Sequence, residues 1–130
     1  MLRAEGLDVE LHALTDVPHE VVPTWLNAAD AVLLTSAHEG SPNVVKEALA
    51  CNVPVVSVDV GDVRERIGKV DGCHMADSTP EDIAAKVERV VARDRPVAGR
   101  ERVADVSLEA IAERLCEIYA LLVRSGAPAP

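Results

Sequence analysis

Two short, uninterrupted apolar runs constrain this chain most: AVLLT at residues 31–35 and PVVSV at residues 54–58. Neither alternates with polar residues, so each reads as a strand buried on both faces, the environment of a parallel sheet covered by helices. The stretch after AVLLT is helix-forming, as a crossover between parallel strands requires. The core available to such a sheet is unusual in content. The chain has 21 Val and 19 Ala but one Trp, one Tyr and no Phe, so small and β-branched side chains must fill it.

The remaining elements follow the same alternation. Residues 9–14, VELHAL, alternate apolar with polar and predict a strand with one face less buried. Residues 18–29 carry Val21, Val22, Trp25 and Leu26 at helical spacing, with Pro23 marking the start or restart of the helix. Ser41 followed by Pro42 supplies a cap and a first-turn proline for a helix running to about Cys51 and stopping before Asn52. A loop with Gly61, Asp62 and Gly68 leads to a short strand at residues 73–76. Thr79, Pro80, Glu81 and Asp82 open a helix whose apolar stripe is Ile83, Val87, Val90 and Val91. Residues 94–106 read as a charged surface connection. A last helix starts at Ser107, shows Leu108, Ile111, Leu115, Tyr119 and Leu122 on one face, and ends at Gly126. Trp25 and Tyr119 are expected to anchor the core. The fold class implied is α/β, with a doubly wound parallel sheet.

With 130 residues the chain makes one domain. Asp and Glu outnumber Lys and Arg 22 to 13, a formal net charge of −9, which disfavours nucleic acid and anionic membranes as partners. Cys51, Cys73 and Cys116 are odd in number and widely spaced, which argues against a disulfide framework or a zinc site. No apolar run approaches transmembrane length, and nothing after Met1 resembles a signal peptide, so a cytoplasmic setting is expected.

Ligands of open parallel sheets bind beyond the carboxyl ends of the strands. The loop that leaves the first buried strand, TSAHEGSPN at residues 35–43, is therefore where chemistry is expected. Gly40 permits close backbone approach, and the amides of Asn43 and Val44 in the first helical turn form an anion site, narrowed by the donor that Pro42 lacks. Glu39 precedes the helix, and Glu47 shares a face with Asn43 four residues earlier. A carboxylate accepts two hydroxyl hydrogen bonds and so suits the vicinal diol of a ribose or hexose. The alternative is that Glu39 favours the helix dipole and Glu47 is simply solvated. Spacing does not separate the two, because the interval of eight recurs at Glu101/Glu109 and Glu109/Glu117.

The surrounding residues carry more. The 26 residues HEGSPNVVKEALACNVPVVSVDVGDV, at 38–63, resemble the E-x7-E region of retaining glycosyltransferases of the GT-B, family 4 type, and most of all bacterial members that include teichuronic acid biosynthesis enzymes. AADAVLLTS before this region and SLEAIAERLCEIYALL near the end fit the same pattern, so the resemblance extends from about Val9 to Val123. It implies a site for a nucleotide sugar, UDP- or GDP-linked, and transfer of a hexosyl unit to a glycan or lipid-linked acceptor. Glu39 stands where the family's first glutamate meets the sugar hydroxyls close to the reacting carbon. Gly40, Ser41, Asn43 and Val44 stand where backbone amides contact the sugar and distal phosphate, and Glu47 where the second glutamate binds the ribose. Residues 14–17 correspond to a stretch that contacts the base, with Asp16 where relatives often have Gly. The resemblance implies no cofactor and no metal, since basic residues and helix amides usually offset the diphosphate charge.

It also implies that residues 1–126 are the C-terminal part of a donor-binding domain, starting near its third strand, with 127–130 a tail. The family's diphosphate-clamping Arg and Lys and its acceptor domain would lie upstream. The isolated chain is accordingly expected to be inactive. In the strand order 3-2-1-4-5-6, two absent strands would separate residues 9–14 from 31–35. The open edge of 31–35 is then expected to be filled by residues 9–14, by the N-terminal domain or by self-association. The alternative is a non-catalytic nucleotide-binding or interaction module derived from such an enzyme. A sugar-nucleotide epimerase fits EGSPNVVKEA less well. Lys46 is expected to point away from Glu47 and not to replace the clamp. Asp59, Gly61 and Asp62 either border the donor pocket or form a turn. His12, His19, His38 and His74 are scattered, and only His38 lies beside the motif.

Overall fold

The computed structural model describes residues 8–93 and 95–125. Both apolar runs are strands, β1 (Val32–Leu34) and β2 (Val55–Ser57), and a two-residue β3 (His74–Met75) completes a parallel sheet of order β1-β2-β3. The register pairs Val32 with Val55 and Leu34 with Ser57, then Val56 with His74 and Ser57 with Met75. Chain order equals spatial order, as in one half of a doubly wound sheet.

Helices cover both faces. On one, α2 (Asn43–Ala50) and α3 (Val63–Ile67) bury Val45, Ala48, Leu49, Val63 and Ile67 with Val55 of the central strand. On the other, Val87 and Val90 of α4 (Pro80–Val91) pack with Val56 and Ala76. Adjacent valines of β2 thus feed opposite cores, which is why that run could not alternate. Helix α4 starts as its sequence dictates: the Thr79 hydroxyl accepts the Asp82 amide at 3.3 Å, and Asp82 Oδ2 accepts the Asp77 amide at 2.8 Å. Its stripe is shifted, because Ala84 is buried and Val91 is exposed.

The structure corrects several expectations. Residues 9–14 form no strand, so they do not fill the outer side of β1. Alternation offers one face to a core, but these residues join no ladder of the sheet. Helix α1 (Val22–Ala28), by contrast, has Pro23 in its first turn as expected, and follows a 3-10 turn at His19–Val21. Ser41 does not cap α2: Pro42 occupies the cap position without a side-chain bond. The 61–68 loop contains α3, too short to show periodicity.

Residues 95–106, within the stretch expected to be a surface connection, contribute to the core rather than skirting it. They contain a 3-10 helix at Arg100–Val106, and Val97 and Val103 are buried with Leu49. Asn52 attaches this segment to the end of α2. It has φ 58°, the left-handed conformation common after a helix, and its Oδ1 accepts the amides of Gly99 at 3.2 Å and Arg100 at 3.0 Å. Helix α5 (Leu108–Ser125) forms as expected, but Leu108, Ile111, Leu115, Tyr119 and Leu122 are all exposed. Tyr119 and Trp25 are therefore not core anchors; the Trp25 ring lies 5.3 Å from that of His12. Gly126 and the 127–130 tail lie outside the described residues.

Among the described residues no helix is long and apolar enough to cross a membrane.

Candidate functional site

Parallel strands place the loop after β1 and the loop after β2 at the same edge of the sheet, and the structure joins them there. The Asp62 amide donates to the Gly40 carbonyl at 3.1 Å, and the Ser41 hydroxyl donates to Asp62 Oδ2 at 2.7 Å. This contact requires Gly61, whose φ is +53° and where a Cβ would fall on the Gly40 carbonyl oxygen.

Glu39, Gly40, Ser41 and Asn43 are exposed on this edge, whereas Val44 and Glu47 are half-buried. The structure thus brings Glu39, Gly40, Ser41, Asn43 and Val44 together at the start of α2, with Glu47 in the second turn. The first turn of α2 contains no acidic residue, so its free amides and positive dipole end are not offset by a carboxylate of that turn.

A cation is also present. Lys46 reaches back to the start of the helix: its Nζ lies 3.1 Å from the Ser41 carbonyl oxygen and 3.3 Å from Asn43 Oδ1. Long helical side chains lean toward the N-terminus, and the i to i−3 spacing from Asn43 was the signal for it. On the other side, His19 Nδ1 lies 3.9 Å from Glu47 Oε1, which brings the segment before α1 to the second glutamate. Within that segment Asp16 has φ 55°, the region where glycine is most readily accommodated. His38 is exposed in the loop.

Asp62 is the most heavily bonded group at this edge. Besides Ser41, it accepts Arg66 Nε at 3.3 Å, and Arg66 Nη1 reaches Asp105 at 2.9 Å and 3.1 Å. Burial alone would raise the Asp62 carboxyl. The bonds from Ser41 and Arg66, with the charges of Arg66 and Lys46, outweigh it and hold the group below the usual carboxylate range. Asp59 pairs instead with Arg64 Nη2 at 2.7 Å. A shallow groove of about 400 Å³ lies farther along the 3-10 helix, lined by Glu65, Arg66, Glu101, Arg102 and Asp105.

Residues 2–93 match the family described as glycosyl transferases group 1. A Bacillus subtilis protein assigned to teichuronic acid biosynthesis as a glycosyltransferase is 49% identical over 59 residues, 45% of this chain and 15% of its own length. A 2-deoxystreptamine N-acetyl-D-glucosaminyltransferase of Streptomyces fradiae is 37% identical over 54 residues, 42% of this chain and 13% of its own length. A 2-deoxystreptamine glucosyltransferase of Streptomyces kanamyceticus is 32% identical over 95 residues, 68% of this chain and 24% of its own length. The chain thus spans between 13% and 24% of the length of these relatives. No solved structure matches it significantly. With the match covering residues 2–93 and a parallel α/β half-sheet of the expected kind, the chain belongs to the group 1 glycosyl transferase family.

Proposed function

We propose that residues 39–47 are the donor site of a retaining glycosyltransferase that moves a hexosyl unit from a UDP- or GDP-linked sugar to a glycan or lipid-linked acceptor. The observation that supports this reading is a first helical turn without acids at the carboxyl edge of a parallel sheet, with the Lys46 ammonium 3.1 Å from the Ser41 carbonyl oxygen and 3.3 Å from Asn43 Oδ1. The amides of Gly40, Ser41, Asn43 and Val44 face the sugar and distal phosphate, where an anion at a helix N-terminus is stabilised. Glu47 accepts the two ribose hydroxyls. Glu39 accepts sugar hydroxyls next to the reacting carbon, where positive charge develops. Lys46 supplies positive charge on the phosphate side, and residues 14–17 lie toward the base.

The chain's small share of its relatives' length supports placing the acceptor site in a further domain. Acceptor positioning is then missing from residues 1–130, and the isolated chain transfers no sugar. The setting is cytoplasmic, where nucleotide sugars are made.

Glu47→Gln tests the reading. The charged acceptor for the ribose diol is lost, and affinity for UDP or GDP, measured by calorimetry, is expected to fall about tenfold or more. Equal affinity of the variant and the parent chain would overturn the assignment of Glu47. Absence of binding by the parent chain to both nucleotides would favour a non-catalytic interaction module.

A further inference from the structure

We propose that Asp62 is a positioning residue for the donor loop, holding the Gly40–Ser41 segment in place from the neighbouring loop rather than touching the donor. This rests on the reading of residues 39–47 as the donor site.

The segment is held on three sides. Asp62 donates its amide to the Gly40 carbonyl at 3.1 Å and accepts the Ser41 hydroxyl at 2.7 Å, while Lys46 reaches the Ser41 carbonyl at 3.1 Å. An exposed loop between a strand and a helix has few packing contacts to fix it, so these bonds decide where its amides point. Asp62 is itself fixed by Arg66, which is less than a quarter exposed, and Arg66 is held by Asp105 and by the Arg102 carbonyl at 3.3 Å. A continuous chain of charge-assisted bonds thus runs from the donor loop through α3 to the 3-10 helix beyond it. The Ser41 hydroxyl is engaged by Asp62, which leaves the Ser41 amide as that residue's group for the ligand. Gly61 belongs to the same device, since only a residue without Cβ lets the second loop approach the Gly40 carbonyl.

The test pairs two variants, Asp62→Ala and Ser41→Ala, and reads two quantities: backbone 15N relaxation at Gly40, Ser41, Asn43 and Val44, and affinity for UDP and GDP. Each single variant is expected to raise the fast mobility of Gly40 and Ser41 and to weaken nucleotide binding about three- to tenfold. The double variant is expected to be no worse than Asp62→Ala alone, because both remove one bond. Asp62→Asn, which keeps an acceptor for Ser41, is expected to restore most of the loop order. Unchanged relaxation in both single variants, or fully additive effects, would overturn the proposal.

Ser41→Ala removes an exposed hydroxyl and keeps the test valid if Asp62→Ala fails to fold. Loss of nucleotide affinity in Glu47→Gln but not in Asp62→Ala would refute the positioning role and leave the donor site standing. If the parent chain binds neither UDP nor GDP, the donor reading fails and the relaxation data alone decide whether Asp62 orders the loop.

Discussion

Replacing Leu49 by Ala is expected to destabilise the domain by about 3–5 kcal/mol. Leu49 is among the largest of the fully buried side chains, and it lies where α2, the sheet and the segment containing Val97 and Val103 meet. Gly99 packs so closely on it that a Cβ there would stand 2.8 Å from the Leu49 carbonyl oxygen and 2.9 Å from its Cδ2. Its neighbours in the cluster are mostly valines and alanines, which have few rotamers with which to reach into the space vacated. The cavity therefore stays largely open, and its cost adds to the lost transfer energy. Urea denaturation of the two chains measures this, and a loss below about 1 kcal/mol would mean that the core collapses around the site.

Gly61→Ala is expected to act on both stability and the site. An L-residue at φ +53° costs about 1–2 kcal/mol, and the new Cβ falls on the Gly40 carbonyl oxygen, 2.7 Å from its carbon and 3.0 Å from the Glu39 carbonyl oxygen. All three contacts are backbone, so no side chain can rotate away. The two loops must separate, which breaks the Asp62 amide bond to Gly40 and displaces Glu39. We expect a total loss of about 2–3 kcal/mol, with amide shift changes concentrated at residues 39–43. A variant as stable as the parent, with those amides unshifted, would show that the close approach of the loops is not needed.

Much of this architecture is legible in residues whose meaning is local. The runs at 31–35 and 54–58 could only be strands with both faces covered, and Thr79 with Asp82 could only begin a helix. Where local pattern and structure part, tertiary context decides. Residues 9–14 alternate correctly for a strand but join no ladder. The stretch at 94–106 is charged, yet Val97 and Val103 turn inward because Asn52 draws Gly99 and Arg100 onto the end of α2. Helix α5 carries a regular apolar face that no described residue buries fully: Ile111 is 41% exposed and Leu115 46%.

The site divides in the same way. A strand, a loop and a helix start in succession direct attention to residues 35–43, but it is the resemblance, not the spacing, that assigns Glu39, Gly40, Ser41, Asn43, Val44 and Glu47. Neither reveals Asp62 and Arg66, whose partners Ser41 and Asp105 lie 21 and 39 residues away along the chain. Lys46 is expected only to point away from Glu47; the backward lean of a long helical side chain adds where it goes, taking its ammonium to Ser41 and Asn43.

Amide chemical-shift mapping of the 15N-labelled chain during titration with UDP and GDP tests the central claim most directly. Binding at the proposed donor site predicts saturable shifts concentrated at Gly40, Ser41, Asn43, Val44 and the turn around Glu47, with smaller ones at residues 14–17. No shifts with either nucleotide, or shifts confined to surfaces away from the carboxyl edge of the sheet, would contradict it.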